Sequence, residues 1–177
     1  MAKTNWVVDA AHSSVDFYVK HMMIAKVKGT FHQFDASIEA DLEDLANASI
    51  AFNIDLNSVD TRNADRDNHL RSADFFDLDN YPALTFRSTG IVRNSDGEYD
   101  LFGDVTLHGV TRSETFALSF EGSGRDPWGN EKAGFSASGV LRRSDYGLSY
   151  NAVLETGGVL IGDEVKFTID VEAAKQA

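Results

Sequence analysis

Across most of this chain apolar side chains recur at every second position, and a period of two belongs to a β-strand with one buried face. Val15, Phe17 and Val19 share one parity against Ser14, Asp16 and Tyr18, and His21 follows on the apolar parity. Ile50, Phe52, Ile54 and Leu56 alternate with Ala51, Asn53 and Asp55. The same pattern returns in Tyr99, Leu101, Gly103, Val105 and Leu107, then in Phe116, Leu118 and Phe120. Phe135, Ala137, Gly139 and Leu141 follow, and the last run is Val165, Phe167, Ile169 and Val171. From Gly29 onward Phe34, Ala36, Ile38, Ala40 and Leu42 share a face while Phe31 falls on the other, which predicts a β-bulge near Gln33. Asp96-Gly97 and His108-Gly109 are tight-turn signals, Asp41–Ala46 reads as a turn, and the Gly-rich Glu121–Glu131 with its Asp-Pro reads as a loop. Brief helical turns are expected over Met22–Lys26 and over Asn151–Glu155, the latter ended by Gly157-Gly158.

One segment abandons the alternation. In Thr61–Ser88, Asn63 caps a short helix, Asp65 and Asp67 suit its positive first turn, Leu70 supplies an apolar contact, and Arg71 lies near its negative end. Phe75-Phe76 follows between Asp74 and Asp77. Pro82 biases Tyr81 toward an extended backbone, so a strand starts at Ala83 and continues through Leu84 and Phe86. A helix, a double Phe and a strand in succession read as a lid or plug across the end of a sheet. The paired Phe is either plain core or an inner wall.

The class is therefore all-β: roughly eight antiparallel strands in one domain, residues 1–177, with a short helical insertion. Hairpin-linked strands of one inward parity close most economically into an up-and-down barrel, which removes exposed edges. A two-sheet sandwich is the structural alternative. Twelve Phe, many on the inward parity and separated by Ala and Gly, favour the barrel. Eight strands enclose a space that side chains fill or that one slender ligand occupies, and the pattern does not choose between the two.

Composition excludes several functions. A net charge of −12 gives no general attraction for phosphodiester backbones or anionic lipid surfaces, so nucleic acid is not an expected partner. No cysteine means no disulfide, no thiolate metal site and no cysteine nucleophile. No stretch approaches the roughly 20 apolar residues of a span, so stable membrane insertion is not expected. MAKTNWVVDAAHSS holds one Lys and no apolar run of signal-peptide length, and a cytoplasmic protein is the expectation. The five His show neither His-x-His nor a helical His-x-x-x-His pair, so neither a metal nor a cofactor is expected. Asp67 and His69 do not make a hydrolytic triad with Ser72 or Ser88: there is no Gly-x-Ser-x-Gly elbow, and positions two apart on a helix face different ways. Asp67 is expected instead to pin the helix to the barrel mouth with Arg66 or Arg143. Gly122-Ser123-Gly124 lacks the lysine and helix of a phosphate loop.

Several ordered motifs resemble a known family. They are Asp9-Ala10-Ala11-His12-Ser13, Val19-Lys20-His21 followed by Gly29-Thr30-Phe31, and the run Arg66-Asp67-Asn68-His69-Leu70-Arg71-Ser72-Ala73-Asp74-Phe75-Phe76-Asp77. Tyr81-Pro82, Thr85-Phe86, Ser88, Gly109-Val110-Thr111 and Arg143-Ser144-Asp145-Tyr146-Gly147 complete them. In this order they are similar to the YceI-like proteins over essentially the whole chain. The resemblance implies a lipocalin-like antiparallel barrel whose elongated apolar pore holds a polyisoprenoid, such as an isoprenoid quinone or a prenyl diphosphate. Many members are periplasmic and carry a leader, and this chain is expected to depart from them there.

The residues agree with such a ligand. Each buried methylene contributes about 0.8 kcal/mol, so several prenyl units supply on the order of 10 kcal/mol before ordering costs. The expected pore wall is Phe17, Val19, Phe34, Phe52, Ile54, Phe76, Phe86, Phe116, Leu118 and Phe167, with His21, His69 and Arg143 as polar contacts. His21 is either a ligand contact or a histidine satisfied by a backbone carbonyl. A polyanionic head would call on Arg62, Arg66, Arg71, His69 or Arg143; the acidic chain favours a neutral head. The leading reading is a non-enzymatic carrier or store for an isoprenoid lipid. Beside it stand an enzyme acting on such a lipid, with His21 or Asp67 as acid or base, and a solid-core interaction module. Trp128 or another exposed aromatic offers a route to a homodimer.

Overall fold

In the computed structural model, residues 3–152, 154 and 158–176 are described. The alternating runs become β1 (Thr4–Val8), β2 (Ser14–His21), β3 (Ala25–Phe31), β4 (Phe34–Ala40), β5 (Ser49–Asp55) and β6 (Val59–Asp60). After helix α1 (Ala64–Arg71) come β7 (Ala83–Ser95), β8 (Glu98–Leu107), β9 (Val110–Arg125), β10 (Glu131–Arg142) and β11 (Ile161–Lys175). All pairings are antiparallel, and the order β1-β4-β5-β7-β8-β9-β10-β11 returns to β1. The result is a closed eight-strand barrel with one short helix, the up-and-down arrangement expected. β2, β3 and β6 prolong β1, β4 and β5 toward one end: β11 meets β1 through Trp6↔Lys175 and β2 through Phe167↔Phe17.

Three interruptions separate β1 from β2, β3 from β4 and β5 from β6. Between β1 and β2 the Asp9 carboxylate accepts from Ala11 N at 3.0 Å and starts a single 3-10 turn. Between β3 and β4 the expected bulge is a full interruption at His32-Gln33, because His32 N turns to Ser58 O at 3.3 Å and Gln33 O accepts from Asp55 N at 2.9 Å. This resets the parity, so Phe31 and Phe34 both pack against the core. The third bend, Leu56–Ser58, separates β5 from β6.

Three local expectations are corrected. Met22–Lys26 contains no helical turn, since His21 pairs directly with Ala25 and the chain must reverse within three residues. Ile24 N donates to His21 O at 3.2 Å, with φ of 53° at Met22 and 63° at Met23. Glu121–Glu131 is mostly strand: ladder bonds belong to the backbone, so Gly122 and Gly124 pair as well as any residue, and only the segment around Asp126 turns. There the Asp126 carboxylate accepts from Trp128 N and Asn130 N, both at 2.9 Å. Of Asn151–Glu155, Asn151, Ala152 and Leu154 are not helical, and Val153, Glu155 and Gly157 lie outside the described residues. Asn151 instead clamps Ile161, accepting from its N at 2.9 Å and donating to its O at 2.7 Å.

The two ends differ. One is closed by a cluster of Trp6, Ile38, Ala40, Leu45, Ala133 and Ala173, with Trp6 Nε1 donating to Ala40 O at 3.4 Å. The other carries α1, the β2–β3 turn, the His108-Gly109 turn and the connection from β10 to β11. Asn63 caps α1 as expected, accepting from Arg66 N at 2.9 Å.

Candidate functional site

Inward parity on a closed sheet points apolar side chains at a common axis, and here they leave that axis open. A cavity of about 430 Å³ runs inside the barrel toward the helix-bearing end. Its walls include Val15, Phe17 and Val19 of β2, Phe52 and Ile54 of β5, Phe86 of β7, Phe116 and Leu118 of β9, and Phe167 of β11. Phe75 and Phe76 close it from the helical insertion. Of the two readings of the paired Phe, wall holds for both. Phe34 is the exception among the residues expected here: it stacks on the Phe52 ring at 5.8 Å and lies behind the lining. The bend at Gln33 explains this, because it rotates the start of β4 off the bore.

Three glycines keep the bore open. Gly29, Gly103 and Gly139 lie beneath the rings of Phe17, Phe86 and Phe116 respectively, in space that a Cβ would fill. The rings lean along the wall instead of across it. The alternation of Phe with Gly is visible in the chain, but which Phe covers which Gly depends on register.

At the mouth the polar groups divide into those already satisfied and those free. Arg143, 8% exposed, spends its guanidinium on carbonyls: Nε donates to Gly162 O at 2.9 Å, Nη1 to Leu148 O at 2.8 Å and Tyr150 O at 3.1 Å, and Nη2 to Ile161 O at 3.4 Å. It staples the connection between β10 and β11, and burial lowers its pKa against the opposing field of Asp163. Its side chain lines the cavity, but few of its five donors remain for a ligand. Asp67 is not paired with Arg66 or Arg143. Its Oδ1 accepts from Thr61 N at 3.0 Å and from Thr61 Oγ1, while Arg66 donates to Thr61 Oγ1 and Thr61 O at 2.8 Å. Both residues thus grip the same threonine from opposite sides, pinning the helix by its preceding loop.

His69 pairs through Nε2 with Asp74 Oδ2 at 2.8 Å and sits edge-on between Phe75 and Tyr150, each 4.9 Å away. Its partner is Asp74, so no triad forms with Asp67. His21 lines the cavity, and among the described residues its imidazole has no hydrogen-bond partner. Among the described residues no backbone carbonyl accepts from it, so its place on the lining agrees with the ligand-contact reading. Tyr146, fully buried, donates to Glu114 at 2.8 Å; burial and that acceptor push its phenol pKa up.

Periodicity did not reveal Tyr146, Leu148 and Tyr150 as lining residues, because they lie in an irregular connection. Asp9, His12 and Glu172 were also missed as a group. Their ligating atoms fall within 4.8 Å of one another across 160 residues of chain, on the outside of the barrel. Lys132 Nζ stands 3.8 Å from Asp9, so the group is an ion-pair network. The hydrogen bond from His12 holds the Asp9 carboxyl below its usual range, and Asp9, then Glu172, raise His12.

A closed antiparallel barrel, plugged at one end and hollow and apolar toward the other, defines the class of protein. The chain belongs to the YceI-like domain family, whose model matches residues 6–173. A UPF0312 protein of Staphylococcus aureus is 40% identical over 170 residues, 96% of each chain. Among solved structures, the Campylobacter jejuni YCEI protein is 30% identical, covers 89% of this chain and 90% of its own, and superposes with a TM-score of 0.77. Burkholderia cenocepacia BcnA has a TM-score of 0.82 at 24% identity, covering 93% of this chain and 98% of its own. A polyisoprenoid binding domain from Saccharophagus degradans, implicated in plant cell wall breakdown, has a TM-score of 0.73 at 16% identity over 98% and 99% of the two chains. The last two share the fold.

Proposed function

We propose that the barrel binds a long isoprenoid lipid in its bore, without catalysis, and carries or stores it. The observation that carries this is the cavity itself: deep, open at one end, and walled by Phe, Ile, Val and Leu. Such a wall selects for length and slenderness, and burial supplies the affinity. The polyisoprenoid binding domain from Saccharophagus degradans, which has the same fold, supports the ligand class. A neutral head such as a quinone is favoured, because His21 on the cavity wall has no hydrogen-bond partner among the described residues while Arg143 has most of its donors occupied. A non-catalytic role is supported by the fate of Asp67, one of the two acid–base candidates, whose carboxylate is held by Thr61; His21, the other, stands on the cavity wall.

Native mass spectrometry of the freshly purified protein, with organic extraction of what it carries, tests the reading. A prenyl lipid at near-unit occupancy is expected, and its head group is read in the same experiment. A protein that is empty and takes up neither added quinone nor prenyl alcohol would refute the proposal.

A further inference from the structure

The turn between β2 and β3 breaks two local rules at once. Positive φ at both Met22 and Met23 is type I′ geometry, which Asn-Gly adopts readily and which a side chain with a bulky Cβ substituent resists. The residues are nevertheless two methionines followed by Ile24, and they stand 43%, 60% and 85% exposed. The Met23 sulfur occupies the space above Gly158, which braces the turn from below. Neither backbone preference nor core packing accounts for an apolar triplet placed this way, and a partner outside the barrel does.

The flanking face carries the charge such a partner needs. On the outward parity Lys20 lies directly opposite Lys26, and Tyr18 lies opposite Lys28 on one side and Lys166 on the other. Lys26 and Lys166 approach the Tyr18 ring to 4.5 and 5.9 Å. Four of the seven lysines of an acidic chain thus share one face. Like charges opposed across a ladder are destabilising. Lys132 and Lys175 have carboxylate partners, whereas among the described residues none of these four has one within 4.0 Å. The face continues as a groove of about 750 Å³ to Arg62 and Arg66, with Asp16 and Asp60 as its carboxylates; Glu164 lies two residues before Lys166. The acidic turns at Asp41–Asp44 and Asp96 stand at the plugged end, on the order of 30 Å away along tilted strands. That is several times the screening length of about 8 Å, so those turns do not offset the lysines, and on the face itself four lysines with Arg62 and Arg66 outnumber Asp16, Asp60 and Glu164.

The same turn forms the edge of the mouth. Lys20, His21, Leu160 and Ile161 line the cavity, and Met22 N donates to Leu160 O at 2.8 Å. Tyr150 and Val159, half-exposed, extend the apolar rim.

We propose that this hairpin docks the barrel on an anionic lipid bilayer. Met22, Met23 and Ile24 enter the interfacial layer, Lys20, Lys26, Lys28 and Lys166 meet lipid phosphates, and the mouth faces the membrane. An apolar ligand then passes between bilayer and bore without crossing water. The docking goes beyond the ligand assignment and does not depend on which lipid the bore accepts.

Vesicle flotation of the full chain tests it, using phosphatidylcholine alone and phosphatidylcholine with about 30% phosphatidylglycerol. The protein is expected to float with the anionic vesicles at low salt, at least about tenfold less with the neutral ones, and to be released near ~0.5 M salt. Met22→Asn with Met23→Gly suits the turn, so this variant should raise the Tm while lowering anionic-vesicle binding about tenfold. Lys26→Glu with Lys166→Glu should lower binding similarly, and both variants should retain the parent's extractable lipid. A parent that ignores anionic vesicles or binds neutral ones equally well would overturn the proposal, as would an Asn-Gly variant that floats like the parent. A solution dimer dissolved by that variant would assign the patch to a second copy and overturn it too.

Discussion

The ring of Phe17 lies across Gly29, its register partner on the neighbouring strand, in the space that a Cβ at position 29 would claim. Phe116 and Phe167 meet edge to face, 4.9 Å apart, over Gly139 in the same way. A wall built from aromatic rings stays thin because glycine accepts each ring, and the space gained is the bore.

Gly29→Ala should push the Phe17 ring into the cavity, costing about 1–3 kcal/mol and lowering lipid occupancy. Gly103→Ala should cost more, since Arg87 O as well as the Phe86 ring stands in the way and backbone does not swing aside. Urea midpoints at constant m-value measure both. Two variants as stable as the parent would show that the rings move freely and that glycine is not what shapes the bore.

Ala137→Phe separates a hollow barrel from a packed one. Ala137 lines the cavity on β10, so a larger side chain there meets open space. The expected outcome is a folded protein less stable by no more than about 1 kcal/mol, below the usual overpacking penalty, that no longer retains lipid. Destabilisation of about 3 kcal/mol would mean that the interior is filled.

Asp67→Ala should destabilise by about 2 kcal/mol, because Thr61 N and Thr61 Oγ1 lose a buried charged acceptor. Thr61→Ala removes the shared partner, and the double variant should cost less than the sum of the two. Additive costs, read from denaturant unfolding, would mean that the two residues act independently.

Asp9 and His12 couple stability to pH with opposite signs. His12 is raised above 6.5, so its contribution is full below 6.5 and disappears as pH rises through the raised value. Asp9 is lowered below 3.8, so its contribution is full above 3.8 and disappears as pH falls through the lowered value. The clasp between β1 and β2 is therefore strongest between those two ordinary values. NMR titration should place the His12 pKa above 6.5, with Asp9→Asn returning it toward that value. An unchanged His12 titration in the variant would remove the pairing from the account.

Alternation alone identified the strands and their inward faces, since the two-residue period is a property of the pleated backbone. It placed Phe17, Phe52, Phe86, Phe116 and Phe167 on the wall, and Asn63 marked the start of the helix because capping is a matter of adjacent residues. Phe34 was misplaced because the bend at Gln33 comes from hydrogen bonds to Asp55 and Ser58, more than twenty residues away. Met22 and Met23 looked like helix formers; register with β3 put them in a strained turn. Arg143 looked like a free cation until folding brought four carbonyls around it, and Asp9, His12 and Glu172 met only when β1 and β11 closed the ring. Local chemistry determined which face each strand buries. Tertiary structure decided that the buried faces enclose a hollow, because closure, bends and the seating of rings on glycines depend on which strand stands beside which.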